Sequence, residues 1–179
     1  MNSSTDLYDG FAEMLTYPDG NYYERAQRCG RILDRVHPEL MKGFTEFAGA
    51  VAARSVEELE ELFTQTFDLN PACCLEVGWH LFGENYERGR VLVKMRQELE
   101  RAGLQESGEL PDHLTHVLRV LTRIEPERAA GLVVDGVLPA LDKMMDALKD
   151  QENPYEALLR IIQIIVQEAV PHQPEVAHD

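Results

Sequence analysis

Apolar side chains recur at helical spacing along almost the whole chain. In the N-terminal third they form three successive stripes, which begin at Leu7, Tyr22 and Leu40. The first two stripes end at strong turn sequences, at residues 17–20 and 37–38. No comparable run alternates apolar and polar residues at every second position, as a half-buried strand would. The pattern therefore predicts three helices and no strand in this third of the chain.

The next three helices are predicted from caps and interruptions. Ser55 and Glu58 have the spacing of a capping box, in which each side chain accepts a hydrogen bond from a backbone N–H of the first turn. Pro71 ends the apolar pattern that follows this cap. A shorter apolar helix is predicted for residues 73–82. Residues 83–85 separate it from a helix with Leu92, Met95 and Leu99 on its apolar face.

The C-terminal half gives similar start and stop signals. Pro111 and Asp112 are predicted to form the first turn of a helix, because proline lacks an N–H and aspartate complements the positive helix end. Pro126 begins the next helical region, and Pro139 within it predicts a kink or break. Asn153 is predicted to cap the last helix.

These patterns predict an all-α protein of about eight or nine helices. The helices differ in sequence and follow no fixed repeat period, which disfavours a helical solenoid. We expect one domain over residues 1–170, with residues 103–111 as its best hinge because they contain two glycines among polar residues. Residues 171–179 are predicted to be a flexible tail.

The composition of the chain limits the kinds of partner and the cellular compartment that we expect for it. The chain has 179 residues, and its net charge of −15 disfavours nucleic acid and anionic membranes while favouring a basic partner. Its N-terminus lacks the pattern of a secretory signal, and no apolar run approaches the roughly 20 residues that span a bilayer. Three cysteines, two of them adjacent, do not form a disulfide framework. We therefore expect a cytoplasmic protein that does not insert into a membrane.

The candidate chemical groups admit more than one interpretation. Adjacent cysteines diverge on a helix, so Cys73 and Cys74 fit buried apolar positions better than a zinc site. His113 and His116 are three residues apart and could share one helix face, but no third ligand accompanies them. No nucleotide-binding or hydrolase motif is present. We expect no metal and no catalysis, and keep as the alternative a small metal- or thiol-dependent enzyme using these four residues.

Large aromatic side chains are concentrated between residues 79 and 86. Trp79, Phe82 and Tyr86 lie close to acidic residues, and Glu84 and Arg88 have the spacing of a helical ion pair. Such aromatics usually fill a core. A cluster of this kind at a glycine-flanked corner also suits an anchor site for a basic peptide.

Three motifs in this region resemble the NarJ family. They read FTQTFD at residues 63–68, HLFGENYERGR at 80–90 and LPDHL at 110–114, and the resemblance extends over about residues 5–170. It implies a TorD-like all-helical fold and a dedicated cytoplasmic chaperone without a cofactor of its own. Such a chaperone binds the N-terminal segment of the apo catalytic subunit of a respiratory molybdoenzyme, nitrate reductase or a relative, and supports molybdenum cofactor insertion.

The resemblance also implies a binding groove between residues 67–86 and the Asp112–His113 corner. In this groove Trp79 and Phe82 would anchor apolar side chains, and His113 would donate a hydrogen bond to a peptide carbonyl and, by titrating near neutrality, couple binding to pH. Negative charge for peptide cations would come from Asp68, Glu84 and Asp112. The full set of expected peptide contacts is Phe67, Asp68, Trp79, Phe82, Glu84, Tyr86, Asp112, His113 and His116.

The oligomeric state stays open at this point. A monomer is one expectation. A dimer that exchanges segments through the 103–111 hinge is the other, and such a dimer would also suit a purely structural adaptor.

Overall fold

A computed structural model describes residues 3–170, and helices joined by short connections account for the fold of this part of the chain. A 3₁₀ turn, Pro38–Leu40, joins the second helix to the third. The ten α-helices are α1 (Ser3–Met14), α2 (Tyr22–Val36), α3 (Met41–Ala52), α4 (Val56–Phe63), α5 (Val77–Phe82), α6 (Tyr86–Arg101), α7 (Leu114–Leu121), α8 (Pro126–Leu132), α9 (Leu138–Leu148) and α10 (Pro154–Glu168). The predicted all-α class is confirmed, whereas the predicted tail at residues 171–179 lies outside the described residues.

Two helical runs contain a π turn, in which the helix widens by one residue. The first π turn, Thr64–Asp68, continues α4, and the second, Val133–Val137, joins α8 to α9. Pro139 is the second residue of α9, which directly follows the second π turn, so the helix changes its hydrogen bonding near this proline but is not broken there. Proline has no N–H for a continuous helix, and a π turn is one way to accommodate that loss.

Two predicted helix starts are wrong, and for a shared reason. Residues 73–76 are not helical, since α5 begins only at Val77, and α7 begins at Leu114 rather than at Pro111. The backbone before each helix instead pairs with the other segment through an isolated antiparallel bridge between Glu76 and His113. A contact between segments almost forty positions apart cannot be read from local capping signals.

Other predicted caps are present. The Ser55 hydroxyl accepts a hydrogen bond from the Glu58 N–H at 3.2 Å, and the Glu58 carboxylate accepts one from the Ser55 N–H at 2.8 Å. Asn153 Oδ1 accepts a hydrogen bond from the Tyr155 N–H at 3.0 Å and so caps α10. Both helices therefore begin where the sequence predicts.

The core forms where α10 packs on α3 and α9, and where α1 packs on α2 and α7. Tyr155 is buried at its centre, with the Phe67 and Phe47 ring centroids 4.9 and 5.7 Å from its own. The Tyr22 hydroxyl donates to the Met14 carbonyl at 2.6 Å and lies 3.1 Å from the Tyr155 hydroxyl. These contacts fix α2 and α10 to each other.

The second half of the chain is arranged around α5, which packs against α6, α9 and the second π turn, while α6 also contacts α7. This brings residues from four separate segments to one corner of the protein. Within residues 3–170, no helix has the length and apolar character to cross a lipid bilayer.

Candidate functional site

The ends of α5 and α7 meet through backbone hydrogen bonds. The Val77 N–H donates to the Asp112 carbonyl at 3.0 Å, and the Leu114 N–H donates to the Leu75 carbonyl at 2.8 Å. These two bonds form the Glu76–His113 bridge and join residues 75–77 to residues 112–114. We call this pairing the α5–α7 clasp. It places the Asp112 and His113 side chains beside α5, as the resemblance implied.

Asp112 is the buried polar group of this corner. Its side chain is 0% exposed, and Oδ2 accepts a hydrogen bond from the Gly78 N–H at 2.9 Å. The Arg88 Nε lies 4.0 Å from the same oxygen, while Oδ1 has no hydrogen-bond partner within the described part of the chain. Burial raises the pKa of this carboxyl above its usual value, and the Arg88 charge opposes that rise.

An apolar cavity of about 180 Å³ opens beside Asp112. It lies between α5, α6, α7 and the second π turn, and Asp112 and Asp135 are the acidic side chains on its wall. Phe82, which is 37% exposed, stands at its edge. The remaining lining residues are Val77, Leu81, Val91, Lys94, Met95, Val117, Gly131, Leu132, Gly136 and Val137.

Trp79 lies next to this cavity but does not line it. The Trp79 Nε1–H donates to the Pro71 carbonyl at 2.9 Å, and the Arg88 guanidinium carbon lies 5.4 Å from the Trp79 ring centroid. A cation over an indole face is an attractive arrangement. The predicted pair between Glu84 and Arg88 is not formed, because Glu84 precedes the Asn85 N-cap of α6 and Arg88 faces Asp112 instead.

His113 is buried, and its ring caps the N-terminus of α7. The Thr115 hydroxyl and N–H both approach Nδ1, at 2.7 and 3.4 Å, so Nδ1 is the acceptor and the ring proton is on Nε2. That Nε2 lies 4.0 Å from the Glu109 carboxylate. Burial lowers the pKa of His113 to about 4, against a smaller opposite effect of Glu76. A pKa this far below 6.5 disfavours the expected titration near neutrality.

His116 holds the 103–111 loop rather than facing solvent. Its Nδ1–H donates to the Leu110 carbonyl at 2.8 Å, and its Nε2 accepts from the Ser107 N–H at 3.1 Å. An ion pair between Arg96 and Glu106 fixes the same loop to α6. Both ring nitrogens of His116 are thus occupied, and neither is available to a peptide in this conformation.

The other expected contacts divide between the core and the surface. Phe67 is buried against Phe63 and Tyr155, so no peptide reaches it in this conformation. Asp68, Glu84 and Tyr86 are exposed, and burial together with the nearby Glu76 charge raises the pKa of Asp68. The structure therefore brings Phe82 and Asp112 together at the cavity and leaves Phe67 and His116 as internal residues.

The alternative site for metal or thiol chemistry gains no support from the geometry. Burial, as the largest cause, raises the pKa values of the Cys73 and Cys74 thiols to about 12. The His80 Nε2 lies 2.7 Å from the Cys74 carbonyl and 3.8 Å from the Cys74 sulfur. Among residues 3–170, no group of three or more His, Cys, Asp or Glu side chains is arranged to hold a metal ion.

Sequence reasoning missed the parts of the site that come from distant segments. Gly78 is one such part. A Cβ added there would lie 2.7 Å from Asp112 Oδ2, so any residue larger than glycine would displace the carboxylate. The second π turn is another, since its residues Asp135, Gly136 and Val137 complete the cavity wall. The proline at position 139 was a usable signal for a change in the helix, although it did not say what the π turn would face.

Comparisons with known proteins agree on one group. The family model described as "Nitrate reductase delta subunit" matches residues 33–159. The nitrate reductase molybdenum cofactor assembly chaperone NarJ of Escherichia coli K12 is 26% identical over 157 residues, which cover 84% of this chain and 65% of that protein. The chain therefore spans about two thirds of the length of that relative.

Two further matches extend this group. The probable nitrate reductase molybdenum cofactor assembly chaperone NarJ of Bacillus subtilis 168 is 26% identical over 151 residues, covering 83% of this chain and 82% of that protein. A crystal structure described as a redox enzyme maturation protein from Archaeoglobus fulgidus has a similar fold, with a TM-score of 0.63. It is 15% identical, and the match covers 91% of this chain and 93% of that one.

Proposed function

Because the chain belongs to the nitrate reductase delta subunit family, as its motifs predicted, we propose that it is an assembly chaperone for a molybdoenzyme. In this proposal it acts in the cytoplasm, binds the N-terminal segment of the apo catalytic subunit, and keeps that subunit competent for molybdenum cofactor insertion. Nitrate reductase is the first candidate client, since the relatives above carry its name. The chaperone performs no catalysis of its own.

The apolar cavity beside Asp112 is the observation that carries the peptide-binding part of the proposal. Its volume of about 180 Å³ is below the range of roughly 300–1,000 Å³ typical of small-molecule pockets. A space of this size suits one large apolar side chain from a longer segment. Phe82 at the edge and Leu81 and Val137 on the wall would cover such a side chain.

The charges around the cavity suit a basic segment. Asp135 and Asp112 line the cavity together with one basic residue, Lys94, and Asp112 has a buried Oδ1 that is not used by the described part of the chain. Glu84 is exposed two residues after Phe82. The whole chain has a net charge of −15, so a cationic segment is attracted before contact. We assign apolar anchoring to Phe82 and charge pairing to Asp135 and Glu84, with Asp112 reached only from within the cavity.

Calorimetry tests this assignment. The probe is a synthetic peptide with the N-terminal sequence of the nitrate reductase catalytic subunit from the same genome. We expect saturable binding that weakens with added salt, and a loss of about tenfold in affinity for Phe82→Ala, because that change removes a buried anchor surface. Tyr23→Ala is the matched control, since Tyr23 is an exposed aromatic on α2 that does not line the cavity. Absence of heat with every molybdoenzyme N-terminus of that genome would overturn the proposal.

A cellular test addresses cofactor insertion. In a strain lacking this gene, we expect purified nitrate reductase to contain much less molybdenum than the enzyme from the parent strain. Wild-type chaperone and Tyr23→Ala should restore the molybdenum content, while Phe82→Ala should restore it only in part. A full molybdenum content in the deletion strain would contradict the proposed role.

A further inference from the structure

The outer face of α6 carries a stripe of residues with the three- and four-residue spacing that places side chains on one helix face. Tyr86, Arg90, Val93 and Gln97 are four, three and four positions apart, and together with Gly89 and Lys94 they line one shallow depression. Tyr86 is 85% exposed and Val93 is 55% exposed. Large side chains this open to solvent, spaced for one helix face, mark a surface for a partner. We call these six residues the α6 stripe.

This stripe is positively charged on an acidic protein. The sequence of α6 contains five basic and three acidic residues, whereas the whole chain has a net charge of −15. Three of the basic residues lie close to carboxylates, Arg88 at Asp112, Arg96 at Glu106 and Arg101 at Glu98. The remaining two, Arg90 and Lys94, form no ion pair within residues 3–170. Their charges are therefore available to an incoming group.

We infer that the α6 stripe docks an amphipathic helix with acidic flanks from another protein. Apolar Tyr86 and Val93 would contact the apolar face of that helix, and Arg90 and Lys94 would pair with its carboxylates. At Gly89, an added Cβ would meet no atom within 4 Å, so the partner backbone can approach closely there. From Tyr86 to Gln97 the stripe spans eleven residue rises of α6, or roughly 16 Å, which matches about three turns of a partner helix.

Charge selects this partner over a second copy of the chain. An isologous dimer through the stripe would bring Arg90 and Lys94 of one protomer against the same residues of the other. Like charges so placed oppose pairing, whereas a row of glutamates or aspartates neutralises them. Exposed Tyr86 and Val93 likewise favour a protein helix over a free phosphate group, which has no apolar face.

The stripe is distinct from the cavity of the proposed function. Of its six residues only Lys94 also lines that cavity, where two acidic residues, Asp112 and Asp135, outnumber it, so the two surfaces favour opposite charges. A basic segment at the cavity and an acidic helix on the stripe can therefore be held at the same time. The inference does not depend on the identity of the client.

Nuclear magnetic resonance of the ¹⁵N-labelled full chain tests the docking surface. The probe is a synthetic amphipathic helix with leucine on one face and glutamate elsewhere, and the comparison probe has lysine in place of glutamate. We expect the glutamate helix to shift the amide signals of the α6 stripe, and the lysine helix to leave them in place. Arg90→Glu combined with Val93→Glu should weaken binding of the glutamate helix by about tenfold or more.

A matched variant on α2 controls for net charge. Arg31→Glu combined with Val36→Glu makes the same chemical changes at exposed positions, so we expect wild-type binding. Equal affinity for the α6 variant, or equal weakening by both variants, would overturn the inference. So would a wild-type dimer that the α6 variant dissociates, or stronger shifts of the stripe with pyrophosphate than with the peptide. Calorimetry with the basic client peptide should be unchanged by the α6 variant, which separates the two proposals.

Discussion

Arg88 connects the buried carboxylate of Asp112 to the surface of the protein. Its Nε lies 4.0 Å from Asp112 Oδ2, and its guanidinium carbon lies 5.4 Å from the Trp79 ring centroid. Asp112 in turn accepts a hydrogen bond from the Gly78 N–H at the start of α5. One side chain therefore fixes the first turn of α5 and the position of Arg88 on α6.

Replacing Asp112 should destabilise the protein even though it makes no surface contact. In Asp112→Ala the Gly78 N–H loses its acceptor and Arg88 loses its nearby negative charge, so we expect the free energy of unfolding to fall by about 1–3 kcal/mol. Asp112→Asn keeps an acceptor oxygen and should lose less. Urea denaturation measures both, with Asp135→Ala as an exposed control. An unchanged urea midpoint for Asp112→Ala would contradict the role given to this carboxylate.

His113 should make stability depend on pH. Burial holds its pKa at about 4 in the folded protein, below the ordinary value of 6.5, so the neutral ring is favoured by folding. This stabilisation is complete above pH 6.5 and is lost as the pH falls from 6.5 through 4. Between pH 7 and pH 5 the loss from this group is on the order of 2 kcal/mol.

His113→Asn isolates that contribution, because the asparagine oxygen can still cap α7. We expect the free energy of unfolding of the wild type to fall by more than that of His113→Asn between pH 7 and pH 5. His37→Asn serves as the control histidine. His37 is half-buried and lies outside the three sequence motifs. Equal pH dependence of wild type and His113→Asn would show that His113 titrates normally.

Two glycines in neighbouring helices should respond to alanine in opposite directions. At Gly30 an added Cβ would lie 2.9 Å from the Phe44 ring, where α2 approaches α3, so Gly30→Ala should cost about 1–3 kcal/mol. At Gly49 in α3 an added Cβ meets nothing within 4 Å, so Gly49→Ala should gain about 0.5–1 kcal/mol through helix propensity. Thermal or urea unfolding of the pair checks this, and a stabilising Gly30→Ala would contradict the close packing of α2 on α3.

The thiols should be unreactive in the folded protein. The pKa values of Cys29, Cys73 and Cys74 are each raised to about 12, with burial as the largest cause. We expect iodoacetamide at pH 8 to label them at least a hundredfold more slowly than glutathione, because the thiolate is the reactive form. In urea all three should be labelled, as counted by mass spectrometry. Rapid labelling of Cys74 in the folded protein would support a thiol-dependent activity instead.

Features of the fold that depend on neighbouring residues could be predicted from the sequence. The apolar stripe of α10 follows its 3.6-residue period, and the Ser55–Glu58 capping box needs only four consecutive residues. The π turn before Pro139 likewise accommodates the missing N–H of that residue. In each case the interacting groups lie within one or two helical turns of each other.

Features that depend on distant residues could not be predicted in this way. Phe67 was among the peptide contacts that the resemblance implied, yet Tyr155 covers it in the core. His113 and His116 have the spacing of paired ligands, but Thr115 and Ser107 occupy their ring nitrogens. The motif resemblance did predict the family and the all-helical fold, because it carries information about the whole chain that local patterns lack.

The α5–α7 clasp has a consequence for any dimer formed by exchanging chain segments. Two backbone hydrogen bonds, which form the Glu76–His113 bridge, join residues 75–77 to 112–114, and His116 and Arg96 also tether the 103–111 loop. A folded monomer would have to break all of these at once to release its C-terminal half. We therefore expect exchange to occur while the chain is folding, so that monomer and dimer, once formed, interconvert slowly and can be isolated as separate long-lived species.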